Sequence, residues 1–329
     1  MANLETSYLG LKLKNPLVIA SSGLTNSVKK IKELEEAGAA AVVVKSIFEE
    51  QILNELSSLL EKEAHNASYP EAEDYMKTYL RDNTVSSHLN LIREAKEAVS
   101  IPVIASINCV STAEWTTFAK DFEEAGADAL ELNVFYVPTE KDKKSGEIEQ
   151  VYLDILAKVK KEVSIPVVVK IGMYFTNLVG MTEKLKANGA SGVVLFNRFY
   201  EPDINLKTLK LTSSEIFSNP GDLRRSLRWT GLISSKVKNI DIASSTGIHD
   251  GSAVLKQLLA GAQVAQLCSV IYQNGTAVIG KMLEEIEDFM KVWNFKKIDD
   301  FKSRLSYDNI PDPMLYERSQ FMKYFSSRE

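Results

Sequence analysis

The chain has 329 residues, 45% apolar and 25% charged, with a formal net charge of −5. That composition excludes a disordered chain, which is poorer in apolar residues, and a strongly basic nucleic-acid surface. Two cysteines, Cys109 and Cys268, and three histidines form no metal-ligand or disulfide spacing, so no metal site is expected and a reducing, cytoplasmic location is the natural reading. The N-terminus carries no basic start and no apolar signal region. The most apolar stretch, residues 37–44, is too short to span a bilayer, so no membrane partner is expected.

Taken in chain order, the elements begin with an alternating segment at residues 7–13, expected as a small hairpin closing one end of the fold. Apolar strands follow near residues 17–21, 40–45, 103–107, 128–133, 166–171, 192–197, 240–245 and 263–268, separated by amphipathic helical patterns. One phrase recurs at four of the helix-to-strand junctions: Glu36-Ala37-Gly38-Ala39, Glu124-Ala125-Gly126-Ala127, Ala187-Asn188-Gly189-Ala190 and Ala260-Gly261-Ala262. Glycine closes a helix in the left-handed conformation, and a buried strand starts at once. A second phrase, Val99-Ser100-Ile101-Pro102, returns as Val163-Ser164-Ile165-Pro166, where proline ends one element and opens a strand. Ser111 and Glu114 form a capping box at the start of another helix.

Eight short, continuously apolar strands alternating with helices predict a parallel sheet covered on both sides, closed into a single (β/α)8 barrel spanning 1–329. No G-x-G-x-x-G turn supports the open doubly wound alternative. The long gaps after strands 2 and 6 predict insertions over about 46–100 and 198–238, and residues from about 294 to 329 read as a C-terminal extension.

Barrel enzymes place their chemistry where strands end at the C-terminal face. Those ends carry Ala20-Ser21, Lys45, Asn108, Asn133, Lys170, Asn197, Thr246-Gly247 and Cys268-Ser269. Lysines and asparagines converging on one rim suit an anionic or carbonyl-rich small molecule, and the small residues after the last two strands suit a phosphate. His249 stands at a helix start within reach of that phosphate end, and His88 reads as a surface helix position.

These residues resemble the dihydroorotate dehydrogenase family of FMN-dependent barrel oxidoreductases. The resemblance runs through Asn15-Pro16-Leu17-Val18, Ala20-Ser21-Ser22-Gly23, Glu131-Leu132-Asn133, Pro166 to Lys170 and Ala243-Ser244-Ser245-Thr246-Gly247. Phe196-Asn197-Arg198-Phe199-Tyr200 is similar to a subgroup that keeps the flavin site but lacks some catalytic residues. The resemblance implies FMN as cofactor, a place in pyrimidine biosynthesis, hydride transfer from dihydroorotate or a similar small anionic ring to flavin N5, a separate electron acceptor and a homodimer. With no cysteine cluster, an iron–sulfur carrier would need another subunit.

It also implies roles. Ala20 and Ser21 would contact the flavin, Lys45 its reactive N5 side, Asn108 and Asn133 the ring and substrate, and Lys170 the N1/O2 edge. Thr246, Gly247, Cys268 and Ser269 would hold the phosphate, and Asn197 the substrate. The family's Cys or Ser base is missing from Asn133-Val134-Phe135-Tyr136-Val137-Pro138-Thr139, where Tyr136 or Thr139 would stand in. The nearest stretch to the family's substrate loop contains Asn66, and Asn197 is followed by Arg198 rather than a small hydroxyl residue. Two other readings stay open: a flavin-binding protein without turnover, and a phosphate-substrate lyase or aldolase with Lys170 or Lys45 as Schiff base.

Overall fold

The computed structural model describes residues 2–48, 70–108, 112–198, 201–213 and 215–317. Asn66, Cys109 and Ser111 lie outside them.

The first element is an antiparallel hairpin, β1 (Thr6–Tyr8) and β2 (Leu11–Leu13). Its two central residues, Leu9 and Gly10, both have positive φ, as the tight turn that matches strand twist requires. There follow β3 (Leu17–Ile19), α1 (Val28–Glu36), β4 (Ala41–Val43), a short β5 (Ile47–Phe48) and the long α2 (Pro70–Ala98). The next units are β6 (Val103–Asn108) with α3 (Thr112–Glu124), β7 (Ala129–Asn133) with α4 (Ser145–Glu162), β8 (Val167–Ile171) with α5 (Leu178–Ala187), and β9 (Gly192–Leu195). An exposed hairpin, β10 (Pro202–Asn205) and β11 (Lys210–Ser213), precedes α6 (Leu223–Lys236) in the insertion expected after the sixth barrel strand. The chain continues through β12 (Asp241–Ser245), α7 (Gly251–Ala260), β13 (Val264–Leu267), α8 (Ser269–Asn274), α9 (Val278–Val292) and α10 (Met314–Glu317).

The eight strands β3, β4, β6, β7, β8, β9, β12 and β13 are all parallel. They close on themselves through the β3–β13 and β4–β6 pairings, with β5 extending the edge of β6. The architecture is the expected (β/α)8 barrel. Side chains of alternate strand residues fill its interior. Val18, Val43, Ile104, Ala129, Val168, Val194, Ala243 and Val264 form one apolar cluster with Tyr8, Leu9 and Leu13 of the hairpin. The hairpin therefore plugs the floor, at the N-terminal ends of the strands. The fit is close: a Cβ on Gly192 would lie 2.9 Å from Leu9 Cδ2, and the Leu9 amide donates to Asp241 Oδ2 at 2.6 Å. The larger second cluster fills the layer between strands and helices.

The two sequence phrases turn out to be two halves of one device. Gly38, Gly126, Gly189 and Gly261 all have positive φ. The amides of Ala39, Ala127, Ala190 and Ala262 each return to a carbonyl five residues back, closing the helix in the same way four times. The glutamates at two of these helix ends then catch the Ser-Ile-Pro phrase of the next unit. Glu35 accepts from the Ser100 amide at 2.8 Å, its hydroxyl at 2.6 Å and the Ile101 amide at 3.2 Å. Glu123 accepts from the amides of Ser164 and Ile165 at 3.0 and 3.2 Å and from the Ser164 hydroxyl. Each carboxylate thus satisfies two amides ahead of a proline that has none to donate.

The described part of the C-terminal extension packs along α7. The amides of Ser303 and Leu305 donate to the carbonyls of Leu258 and Leu259, and Phe301 is fully buried against Phe289 and Phe295.

Burial raises the Glu35 and Glu123 carboxyls, but the serine and isoleucine donors and the neighbouring Lys14 and Lys160 outweigh it and hold both below the ordinary value. A carboxyl lowered in the fold stabilises above its unfolded pKa, and the contribution is lost as pH falls through the folded one. Glu35→Ala and Glu123→Ala should each cost about 1 kcal/mol at pH 7. Thermal denaturation repeated at progressively lower pH should show the gap to the parent protein closing below the carboxylate range.

Candidate active site

All eight strands deliver their last residues to the face opposite the plug. A cavity of about 570 Å³ opens there, within the usual range for a small-molecule site. Its walls include Ala20, Ser21, Lys170, Asn197, Thr246, Gly247, Cys268 and Ser269. Eight expected residues from five strand ends thus meet around one space.

The cavity floor is a buried polar triad. Lys170 Nζ lies 3.3 Å from Glu131 Oε1 and 3.2 Å from Gln266 Oε1, while Gln266 Nε2 donates to Glu131 Oε2 at 2.6 Å. Glu131 is 1% exposed, Gln266 2% and Lys170 6%. All three project inward from β7, β8 and β13. An ammonium group has three donors, and these contacts account for two of them. The rim is therefore less positive than the lysines alone imply, because Glu131 balances Lys170. Gln266 was missed from the sequence, although an amide inside the apolar run Val264-Ala265-Gln266-Leu267 is itself a signal.

Beside the triad runs a row of hydroxyls. Ser46 Oγ lies 2.9 Å from Ser21 Oγ and 2.7 Å from Ser106 Oγ, and the Ser46 amide donates to Ser21 at 2.8 Å. Asn197 Nδ2 donates to Asn133 Oδ1 at 2.9 Å, tying the ends of β7 and β9 across β8. This leaves the Asn133 amide nitrogen and the Asn197 carbonyl oxygen for a ligand. Thr246 and Gly247 both have positive φ. A side chain on Gly247 would meet the Leu223 amide nitrogen at 2.2 Å, so this turn requires glycine. Thr246 Oγ1 donates to the Phe196 carbonyl at 3.2 Å, and Ser269 Oγ accepts from the Ser218 amide at 2.9 Å. Burial pushes the Cys268 thiol up, against a Ser22 hydrogen bond and the Lys170 charge, so Cys268 serves as a neutral wall.

Other expected residues stand elsewhere. Lys45, Asn108 and Asn133 end their strands on this face but do not line the cavity, Asn133 being joined to it through Asn197. Lys45 is joined to the long helix through its carbonyl, 3.1 Å from His88 Nε2. His88 is therefore not a surface position, and burial lowers its pKa. Tyr136 lines a separate aromatic cavity of about 360 Å³, with Tyr152, Tyr174 and Phe175. Its hydroxyl accepts from Lys143 Nζ at 2.7 Å and donates to Glu140 Oε2 at 3.2 Å. Thr139 is exposed in the same loop and lines neither cavity.

A sequence model of the family described as dihydroorotate dehydrogenase matches residues 77–290. The chain belongs to the dihydroorotate dehydrogenase family. It is 27% identical over 312 residues to the protein of Thermoplasma volcanium named dihydroorotate dehydrogenase B (NAD(+)), catalytic subunit, covering 91% of this chain and 97% of that one. A protein of the same name from Methanocaldococcus jannaschii is 24% identical over 305 residues, covering 88% and 94%. Dihydroorotate dehydrogenase A (fumarate) of Limosilactobacillus reuteri is 24% identical over 299 residues, with the same coverage. These relatives are named as oxidoreductases, and this member of the family is read in that class.

In this family member, removing one side of the buried ion pair leaves an uncompensated charge. Glu131→Leu should cost about 3 kcal/mol or more in denaturant unfolding, and Glu131→Leu with Lys170→Met should recover most of that loss.

Proposed function

We propose that this chain is an FMN-dependent oxidoreductase that withdraws hydride from dihydroorotate or a similarly small anionic ring and passes the electrons to a separate acceptor. The observation that carries this reading is the cavity that brings Lys170 and Asn197 together with Thr246, Gly247 and Ser269. The donor set suits FMN: a fixed cation for the ring edge, amide groups for the polar ring, and a glycine turn with hydroxyls for the phosphate. FMN, when bound, supplies the hydride acceptor.

The protein's own residues supply position and charge. Lys170, held by Glu131 and Gln266, keeps its ammonium in place with no reorganisation, which favours negative charge developing against it. Asn133 and Asn197, already joined, offer one donor and one acceptor in fixed relation, matching the amide edge or carboxylate of an orotate-like ring. Lys45 is assigned to the reactive N5 side of the cofactor, Asn108 to its ring and the substrate, and Asn66 to the substrate. The ion pair makes Lys170 a fixed cation rather than the free amine that a Schiff-base lyase requires.

The acceptor is assigned to another subunit, in line with the relatives named as catalytic subunits of NAD(+) enzymes. Among the described residues, no helix is long and apolar enough to cross a membrane. We place the enzyme in the cytoplasm, as a homodimer.

One observation favours a second reading. Neither Tyr136 nor Thr139 lines the main cavity, so a flavin-binding protein without dihydroorotate turnover is the alternative.

The purified protein should be yellow or should retain added FMN; a colourless protein that fails to do so would sink both readings. Anaerobic dihydroorotate should bleach the flavin if the enzyme turns over and leave it unchanged under the second reading. In the active case, Asn197→Ala should raise KM at least tenfold while the flavin spectrum is kept. Tyr136→Phe and Thr139→Val test the base: a rate of flavin reduction equal to the parent's in both discards them.

A further inference from the structure

The end wall of the main cavity carries a pair of side chains that the proposed chemistry does not use. Ser218 Oγ lies 3.1 Å from His249 Nε2, and Ser218 is 6% exposed. The Ser218 amide donates to Ser269 Oγ, which lines the cavity beside Gly247. On its far side the same segment, residues 215–218, lines a second, outer cavity of about 590 Å³, and His249 lines that one. Ser218 thus stands in the partition between the two, with His249 behind it.

We propose that His249 is a positioning residue that sets the direction of the Ser218 hydroxyl, making the partition a recognition element for the phosphate end of a ligand in the main cavity. The proposal rests on the FMN reading for the identity of that ligand. A serine hydroxyl has one donor and two acceptor positions. When His249 Nε2 carries its proton and donates to Ser218 Oγ, the serine O–H is released to point at an anion. When Nε2 accepts, that O–H is spent on the ring. An anion in the cavity selects the first arrangement, and the imidazole can adopt it through either its neutral Nε2–H tautomer or the imidazolium form. Burial favours the neutral ring, opposed by the Ser218 backbone and the carboxylates of Asp250 and Asp222. The Ser218 hydroxyl then joins Thr246, Gly247 and Ser269, all of which line the cavity. A riboflavin-sized ligand, lacking phosphate, gains nothing from it.

The test compares FMN with riboflavin by fluorescence titration of the full chain freed of bound flavin. Ser218→Ala and His249→Ala should each weaken FMN about tenfold or more, the scale of a hydrogen bond to a charged group, with riboflavin affinity unchanged. His249→Gln, whose amide N–H can replace the ring donor, should restore most of the FMN affinity. Equal losses for both flavins, or no loss for FMN, would overturn the proposal while leaving the FMN reading intact. If the parent protein binds neither flavin, that reading fails, and inorganic phosphate takes over as the probe. A melting temperature raised by phosphate in the parent and not in Ser218→Ala supports the recognition element; identical responses remove it.

Discussion

The buried contact of Lys170 with Glu131 and Gln266 constrains everything above it. A charge taken out of water is tolerated only with close partners, and these three residues satisfy one another inside the barrel. They come from β7, β8 and β13, so strands far apart in the chain must stand in one register for the contact to form. Below the triad the interior is apolar down to the hairpin; above it lie the hydroxyls and amides of the cavity. The triad marks the level at which packing gives way to chemistry.

The same separation governs the two ends of the strands. Helix-closing glycines and the Glu35 and Glu123 contacts lie toward strand starts, where they fix how one unit joins the next. The strand ends hold the residues that face a ligand. This division lets a repeated sequence phrase coexist with a non-repeated set of site residues.

Much of the barrel was legible in the sequence because its signals are local. A glycine closing a helix, a proline opening a strand and a run of valines each act within a few residues, and all eight strands were placed from them. The strand-end residues of the cavity were legible for the same reason. What escaped depends on partners distant in the chain. Glu131 and Gln266 are separated by 135 positions, and their contact exists only once the barrel closes. Ser218 lies in an insertion with no periodic pattern, and its role is set by Ser269 and His249 from two later units. His88 looked like a solvent position because its helix shows no strong apolar stripe, yet the carbonyl of Lys45 draws it inward. Tyr136 and Thr139 are marked in the sequence only by their position in a loop, and loop position does not say which cavity a side chain enters.

The hairpin plug has a consequence for traffic. With Tyr8, Leu9 and Leu13 sealing the floor, the barrel is a cup rather than a tube. Whatever reaches Lys170 enters through the mouth and must leave by the same door. Two molecules that both need the cavity cannot queue from opposite sides, so a spent one has to depart before its successor arrives. Alternation of that kind would be imposed by a few residues of the first strand pair, on the side of the barrel where no chemistry happens.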